Sequence, residues 1–499
     1  MAKIHYPPSR RSNLEGSHRS SARCGTGSDQ QVVASSTFCI PIACLVKVGN
    51  ASIMNRFSDD SLLLCLLFLT SQEAVAMTAV NRRFHLFLNS DAAPLWTHLL
   101  GSELGVEGMD PPEFVPSAQC PCPAKRRYFG WRMKFSEYSS GEIKFVATWW
   151  QRMERWLSLH APSIRQSLNP PAKDEDFALF HHRLRYPFPR LLRLLYSFHN
   201  GQVINTRNQR TDPNCLFGGY NVYNEAVYNH FLSISDCISV TSSVSNQHHF
   251  HESTIENLLS HPMSSTFLTP VDNIAIFIAS FASPKFICSN NENIFTHFDR
   301  LDVLITCIDG SVRDSALPPL FQWLQEYLTR LETGVYRYEP VDLTNPLAVR
   351  DSDPRRISLF AYSNNSTVSH GVEVSPSPLF IPSLSSSVGE LFFAYSIRMS
   401  ALPDRMASPS MQLVRRHWRI RGGGTEEVVD GEGVIGLYPS FFRDQPPAHP
   451  FSYQSCIHIS PPGAMSGFFA FVVGNLNSPQ GEVQVSVPSF ELTIPPYIF

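Results

Sequence analysis

Long apolar runs are missing from this sequence of 499 residues. No stretch reaches the ~18–20 consecutive apolar residues that a membrane-spanning helix requires, so no membrane partner is expected. Charge is scarce too. Charged residues make up 17% and the net charge is −3, so no global field favours nucleic acid or an anionic surface. The 11 cysteines are odd in number and form no C-x-x-C pair. That argues against a disulfide framework and for a reducing compartment, cytoplasmic or nuclear. Cys120 and Cys122 lie in a CPCP run with no second ligand pair at zinc spacing, and read as free thiols of a proline-rich linker. Nothing in the chain reads as a complete active site, residues 149–331 hold no nucleophile–base–orienter set, and no cofactor or metal is expected.

What is present suits folded domains. Hydrophobic residues make up 43%, and the length allows two to four domains. Residues 1–53 are rich in Ser, Arg and Gly without periodicity and are expected to be a disordered tail, with Met54 as a candidate start. Residues 57–100 organise the rest of the chain. Leu62, Leu63, Leu66 and Leu67 recur at helical spacing, with Leu64, Cys65 and Phe68 on the other sides. Thr70 and Glu73 have capping-box spacing, and Ala74, Met77, Val80, Phe84 and Phe87 continue as one stripe. A helix apolar on several sides must be covered by its own domain or by another protein.

The stretch resembles the F-box, through Leu62, Leu63, Leu66, Leu67 and Leu69, then Arg83-Phe84, then Pro94-Leu95-Trp96 and Leu99. Phe57-Ser58 stands where the family usually opens on Leu-Pro. The resemblance implies a small all-α module over 54–100 that docks on a Skp-type adaptor. Phe57, Leu62, Leu63, Leu66, Leu67, Leu69, Pro94, Leu95 and Trp96 would form the contact. The plainer reading is a helical hairpin buried in a larger core.

Residues 101–148 read as a linker rich in acidic residues and prolines, turning basic and aromatic after Lys125. Trp149, Met153, Trp156 and Leu157 share one helical face, so an amphipathic helix is preferred there to a nucleic-acid surface. Helices are expected over 174–184, 187–198 and 319–331, and strands at 216–223, 231–234, 274–279 and 303–307. Residues 149–331 resemble the SUKH superfamily (the Smi/Knr-type fold). The resemblance rests on the Trp-rich helix, the run from Pro189 to Gln202, Leu-Phe-Gly-Gly-Tyr at Leu216 and the closing Phe321-x-Trp323-Leu324. It implies an α+β binding module. His248, His249 and His251 read as a polar loop rather than a metal site.

Residues 332–366 read as a connector. From 357 onward, short stretches alternate with period two between Gly, Pro, Ser and Asn turns, the pattern of a β-sandwich. Residues 367–499 resemble ApaG domains, through Val-Ser-His-Gly-Val-Glu-Val at Val368, Phe-Phe-Ala-Tyr at Phe392, Val-Arg-Arg-His-Trp-Arg-Ile at Val414 and the glycine run from Val429 to Pro439. The implied fold is an immunoglobulin- or fibronectin-like all-β sandwich. Gly431-x-Gly433-x-x-Gly436 matches a dinucleotide fingerprint in letters, but β-branched residues and Pro439 come next where a helix is needed. On a strand, Arg415, His417, Arg419 and Arg421 share one face, and Arg416, Trp418 and Ile420 the other. The first set reads as a solvated cationic face or, alternatively, as a partner surface.

F-box, SUKH and ApaG in this order imply a multidomain, non-catalytic substrate receptor of a Skp–cullin–F-box ubiquitin ligase, with an unknown protein substrate. The alternatives are a nucleotide- or anion-binding ApaG-type protein and an F-box scaffold outside a ligase.

Overall fold

The computed structural model describes residues 58–499 apart from 68, 80–81, 91–92, 112–121, 186, 205–211, 223–224, 248–273, 280–284, 289–293, 299–302, 310–315, 342–353, 363–364, 386–388 and 446–448. The expected tail, Phe57, Cys120 and the His248–His251 cluster lie outside these. Four short helices come first: α1 (Asp59–Leu66), α2 (Ser71–Met77), α3 (Arg82–Ser90) and α4 (Ala93–Ser102). The capping box at α2 is formed. Thr70 N–H donates to Glu73 Oε2 at 2.9 Å, and Glu73 N–H donates to Thr70 Oγ1 at 3.4 Å. These bonds from Thr70 hold the Glu73 carboxyl below its usual range.

The stripe from Ala74 to Phe87 is not one helix. The chain turns after Met77, where the Thr78 hydroxyl donates to Val75 O at 2.6 Å, and α3 restarts at Arg82. Ala74, Met77, Phe84 and Phe87 are nevertheless all buried.

The expected linker is largely helical, holding α5 (Pro123–Lys134) and the start of α6 (Ser140–His160). Pro123 takes the first turn of α5, where its missing N–H costs nothing. Glu103 joins α2 to α5, accepting from Ser71 N–H at 2.7 Å and from the Tyr128 hydroxyl at 2.6 Å. Ser139 and Glu142 form a second capping box at the head of α6.

The buried face of α6 carries Trp149, Trp150, Met153, Trp156 and Leu157. The remaining helices of this layer are α7 (Pro162–Gln166), α8 (Asp174–Leu184), α9 (Arg190–Tyr196), α10 (Ile234–Gln247) and α11 (Pro319–Glu332). Helix α8 occupies the residues expected. Gly201, φ +69°, lies beyond the end of α9, and a Cβ there would meet the Leu232 carbonyl carbon at 2.3 Å.

Strands β1 (Gly219–Val222), β2 (Glu225–Tyr228) and β3 (His230–Phe231) precede α10. After it come β4 (Ile274–Ala279), β5 (Lys285–Cys288), β6 (Ile294–Phe298) and β7 (Val303–Thr306). One sheet has the order β3-β4-β5-β6-β7. The other corrects the expected connector: β8 (Arg337–Pro340) and β9 (Arg355–Ser358) complete a sheet of order β2-β1-β9-β8, with Gly219 opposite Ser358.

The sandwich comes last: β10 (Thr367–Ser369), β11 (Val372–Phe380), β12 (Leu391–Ala401), β13 (Ser410–Gly422), β14 (Thr425–Glu432), β15 (Ser440–Phe442), β16 (Phe451–Ile459), β17 (Gly463–Asn475) and β18 (Ser478–Leu492). Its two sheets run β10-β11-β12-β16 and β14-β13-β17-β18, with β15 on β13. Strand β12 is inaccessible along most of its length, so apolar residues fall on both of its faces.

Residues 59–499 form a single compact unit. After β18 the chain returns to the α+β layer. Ile498 N–H donates to Cys307 O at 3.0 Å, and Trp323 Nε1–H donates to Ile498 O at 2.8 Å. The Phe499 ring sits against Trp323, Tyr327 and Tyr336. Arg398 of β12 pairs with Glu339 of β8, both buried, and its guanidinium stacks on Tyr362 at 3.7 Å.

Candidate functional site

Two surfaces carry the residues singled out by sequence. In the helical module the leucines divide by direction. Leu62, Leu66, Leu69, Leu95 and Trp96 are at most 5% exposed and belong to the chain's own core. Leu63 and Leu67 are half-buried, and Pro94 is exposed. The Trp96 indole donates to Leu88 O at 2.9 Å, and its ring meets Tyr128 and Phe129 at 5.6 Å. A single outward seam of these residues is therefore not what the packing gives. An eight-residue helix apolar on several sides turns Leu62 and Leu66 inward. Leu64, which lies about 200° round the helix from Leu62, is left 63% exposed. Among the described residues of the module, Leu64, Val75 and Leu86 are the large apolar side chains left exposed, and Pro94 is exposed too. Arg83 ties α3 to α1 through Asp59 at 2.7 Å.

In the sandwich, β13 places its alternate residues as the period requires, but its outer face is not a free cationic stripe. Strand β14 sets Asp430 opposite His417 and Glu426 opposite Arg421. The His417 ring nitrogen lies 2.8 Å from Asp430, and Arg421 lies 3.8 Å from Glu426. Arg415 pairs with Glu482 of β18 at 2.8 Å. Arg419 alone of the four has no carboxylate partner among the described residues. The cationic run is thus mostly neutralised by carboxylates that arrive from later strands.

The inner face of β13 explains the glycine run. Arg416 Nη1 donates to Glu432 O at 3.2 Å and Gly433 O at 3.0 Å. Its guanidinium lies over Gly431, where a Cβ would come within 2.7 Å of Arg416 Cζ. Gly433 at φ +57° and Gly436 at φ +77° turn the chain, which Val434 and Leu437 close by exchanging backbone hydrogen bonds. Strand β15 comes next rather than a helix, so no helix N-terminus faces the loop. Beside the loop lies a half-open pocket of about 550 Å³ with Trp418 and Tyr453 in its lining. Strand alternation assigned Trp418 to the buried face but did not single out Tyr453, because only the β12–β16 pairing brings it beside β13 in space.

Among the described residues, no group of three His, Cys, Asp or Glu side chains is placed to hold a metal. No described helix is long and apolar enough to cross a membrane.

The family model of the ApaG domain matches residues 383–473. Over 451 residues the chain is 28% identical to F-box protein SKIP16 of Arabidopsis thaliana, covering 86% of this chain and 95% of that protein. It is 24% identical over 467 residues to F-box only protein 3 of Mus musculus, covering 89% and 82%. It is 34% identical over 130 residues to Protein ApaG of Xanthomonas campestris pv. campestris (strain B100), covering 25% of this chain and 91% of that one. Over most of its length the chain is similar to proteins named as F-box proteins, and through its C-terminal sandwich it belongs to the ApaG domain family.

Proposed function

We propose that the chain is the substrate-recognition subunit of a Skp–cullin–F-box ubiquitin ligase. The observation that carries this is likeness along nearly the whole chain to proteins named as F-box proteins. In this reading, helices α1–α4 form the F-box and dock on a Skp-type adaptor. The α+β layer, which resembles SUKH modules, and the ApaG sandwich hold the protein substrate. Ubiquitin transfer belongs to other subunits of such a ligase, so no catalytic residue is needed here, and the chain works in the cytoplasm or nucleus.

Burial refines which residues make the contact. Leu62, Leu66, Leu95 and Trp96 stiffen the module from inside. The docking face then centres on Leu64, with the half-buried Leu63 and Leu67 of the same stretch and the exposed Pro94 of α4 as further contacts. Burying an exposed leucine at an interface is worth roughly 1.5–3 kcal/mol, so replacing it with a charge should reduce adaptor capture at least tenfold. Leu64→Asp should do so in a pull-down with the adaptor while leaving the melting temperature unchanged. Capture equal to wild type would remove α1 from the interface. Co-purification of cullin with the wild-type chain separates a ligase subunit from an F-box scaffold working alone.

A further inference from the structure

Each sheet of the sandwich ends on a strand with an open side, and the two ends flank one groove. Strand β14 closes the order β14-β13-β17-β18, and β16 closes β10-β11-β12-β16. No described strand pairs with the outer side of β14. The half-open pocket lies between them, lined by Glu427 and Val429 of β14, Ser455 and Ile457 of β16, and Ile435 of the glycine loop.

The β13–β14 hairpin fixes how β14 presents its backbone. Gly422 stands opposite Thr425 across Gly423 (φ +57°) and Gly424 (φ +83°), the positive pair of a two-residue type I′ turn. Residues flanking such a turn exchange both backbone hydrogen bonds, so by alternation Thr425, Glu427, Val429 and Gly431 bond to β13. The N–H and C=O groups of Glu426, Val428 and Asp430 then point outward from the sheet. Their side chains share the face of Arg421, Arg419 and His417, whereas Glu427 and Val429 look toward the pocket. The strand is exposed along most of its length, and Val428 is 53% exposed.

Open edges are commonly blunted by Lys, Pro or a bulge. Strand β14, Thr-Glu-Glu-Val-Val-Asp-Gly-Glu, has no Lys or Pro, and its register with β13 is unbroken. It carries four acids instead. Like charges oppose pairing with a second copy of this strand and favour a strand of opposite sign. Glu426 and Asp430 face Arg421 and His417, while Glu427 and Glu432, both exposed, have no ion pair among the described residues. At the mouth of the groove Ile435 is held at φ +47°, a region β-branched residues rarely enter, and is 53% exposed.

We propose that β14 receives an extended segment of a partner protein as an added edge strand. Its basic side chains lie on the face of Glu426 and Asp430. Its alternate, apolar side chains enter the groove of about 550 Å³, against Ile420, Val429, Ile435 and Met465. The edge belongs to the sandwich, so this binding is independent of whether the helical module docks an adaptor.

The test uses the full-length chain and fluorescein-labelled eight-residue peptides, blocked at both ends and read by anisotropy. The probe alternates lysine and valine, and should bind saturably. A peptide with its four lysines first, or one alternating glutamate and valine, should bind about tenfold more weakly or less. N-methylation of the lysine amides, which face β14 in this register, should cost about tenfold. N-methylation of the valine amides, which face away, should cost little. Val428→Pro deletes one open N–H without touching the ladder to β13, and should weaken binding about fivefold. Glu427→Gln with Glu432→Gln should weaken it about threefold and leave the melting temperature unchanged. The two methylated peptides leave the protein unaltered, so they decide the matter even where a variant unfolds. No saturable binding, equal binding of the lysine-first peptide, or equal loss from both methylated peptides overturns the proposal. So does a dimer in sedimentation that Val428→Pro dissolves, which gives the edge to a second copy.

Discussion

The tryptophans divide the molecule in two. In the helical and α+β parts every indole is paired: Trp96 with Leu88 O, Trp131 with Met109 O, Trp149 with Leu324 O, Trp150 with Leu195 O, Trp156 with Leu331 O and Trp323 with Ile498 O. Each joins two segments distant in the chain or fixes a helix on its neighbour. In the sandwich, Trp418 is just as buried and donates to nothing described. The same residue type thus builds structure in one region and leaves hydrogen-bonding capacity open in the other.

Breaking a satisfied contact should have the largest effect. Arg398→Leu leaves Glu339 buried without its partner, and should lower stability by about 4 kcal/mol in chemical denaturation. Next come two substitutions that delete the same N–H. Trp149→Phe removes both packing and the bond to Leu324 O, for a loss of about 3 kcal/mol. Trp418→Phe removes packing alone, for about 2 kcal/mol. Equal losses in a side-by-side denaturant series would erase the contrast between the regions. Smallest of all, Tyr453→Phe should change stability by less than about 0.5 kcal/mol, or raise it, because the deleted hydroxyl makes no bond.

Local features were legible in the sequence. The α8 helix, strand β4 and the α2 capping box stand where residue spacing put them. Burial of Trp418 followed from strand alternation. What could not be read there is made by partners far away in sequence. Strand β9 pairs with β1 on one side and β8 on the other, whereas the prolines around them suggest only a connector. The arginine face of β13 is neutralised by Asp430, Glu426 and Glu482, whose register no single-strand pattern encodes. Helical spacing groups the leucines of α1, but the packing of α4 and α5 decides which of them turn inward. The pocket was illegible for the same reason, since its lining is assembled from β13 in one sheet and β16 in the other.

The return of Pro496, Ile498 and Phe499 to the α+β layer also bears on how the molecule is made. The partners they meet, Cys307, Asp309 and Trp323, leave the ribosome well before the sandwich does. The earlier layer therefore closes its core only after the later one has been synthesised. Order of synthesis and order of completion are reversed, and damage that cuts the chain anywhere within the sandwich exposes apolar surface in both layers at once.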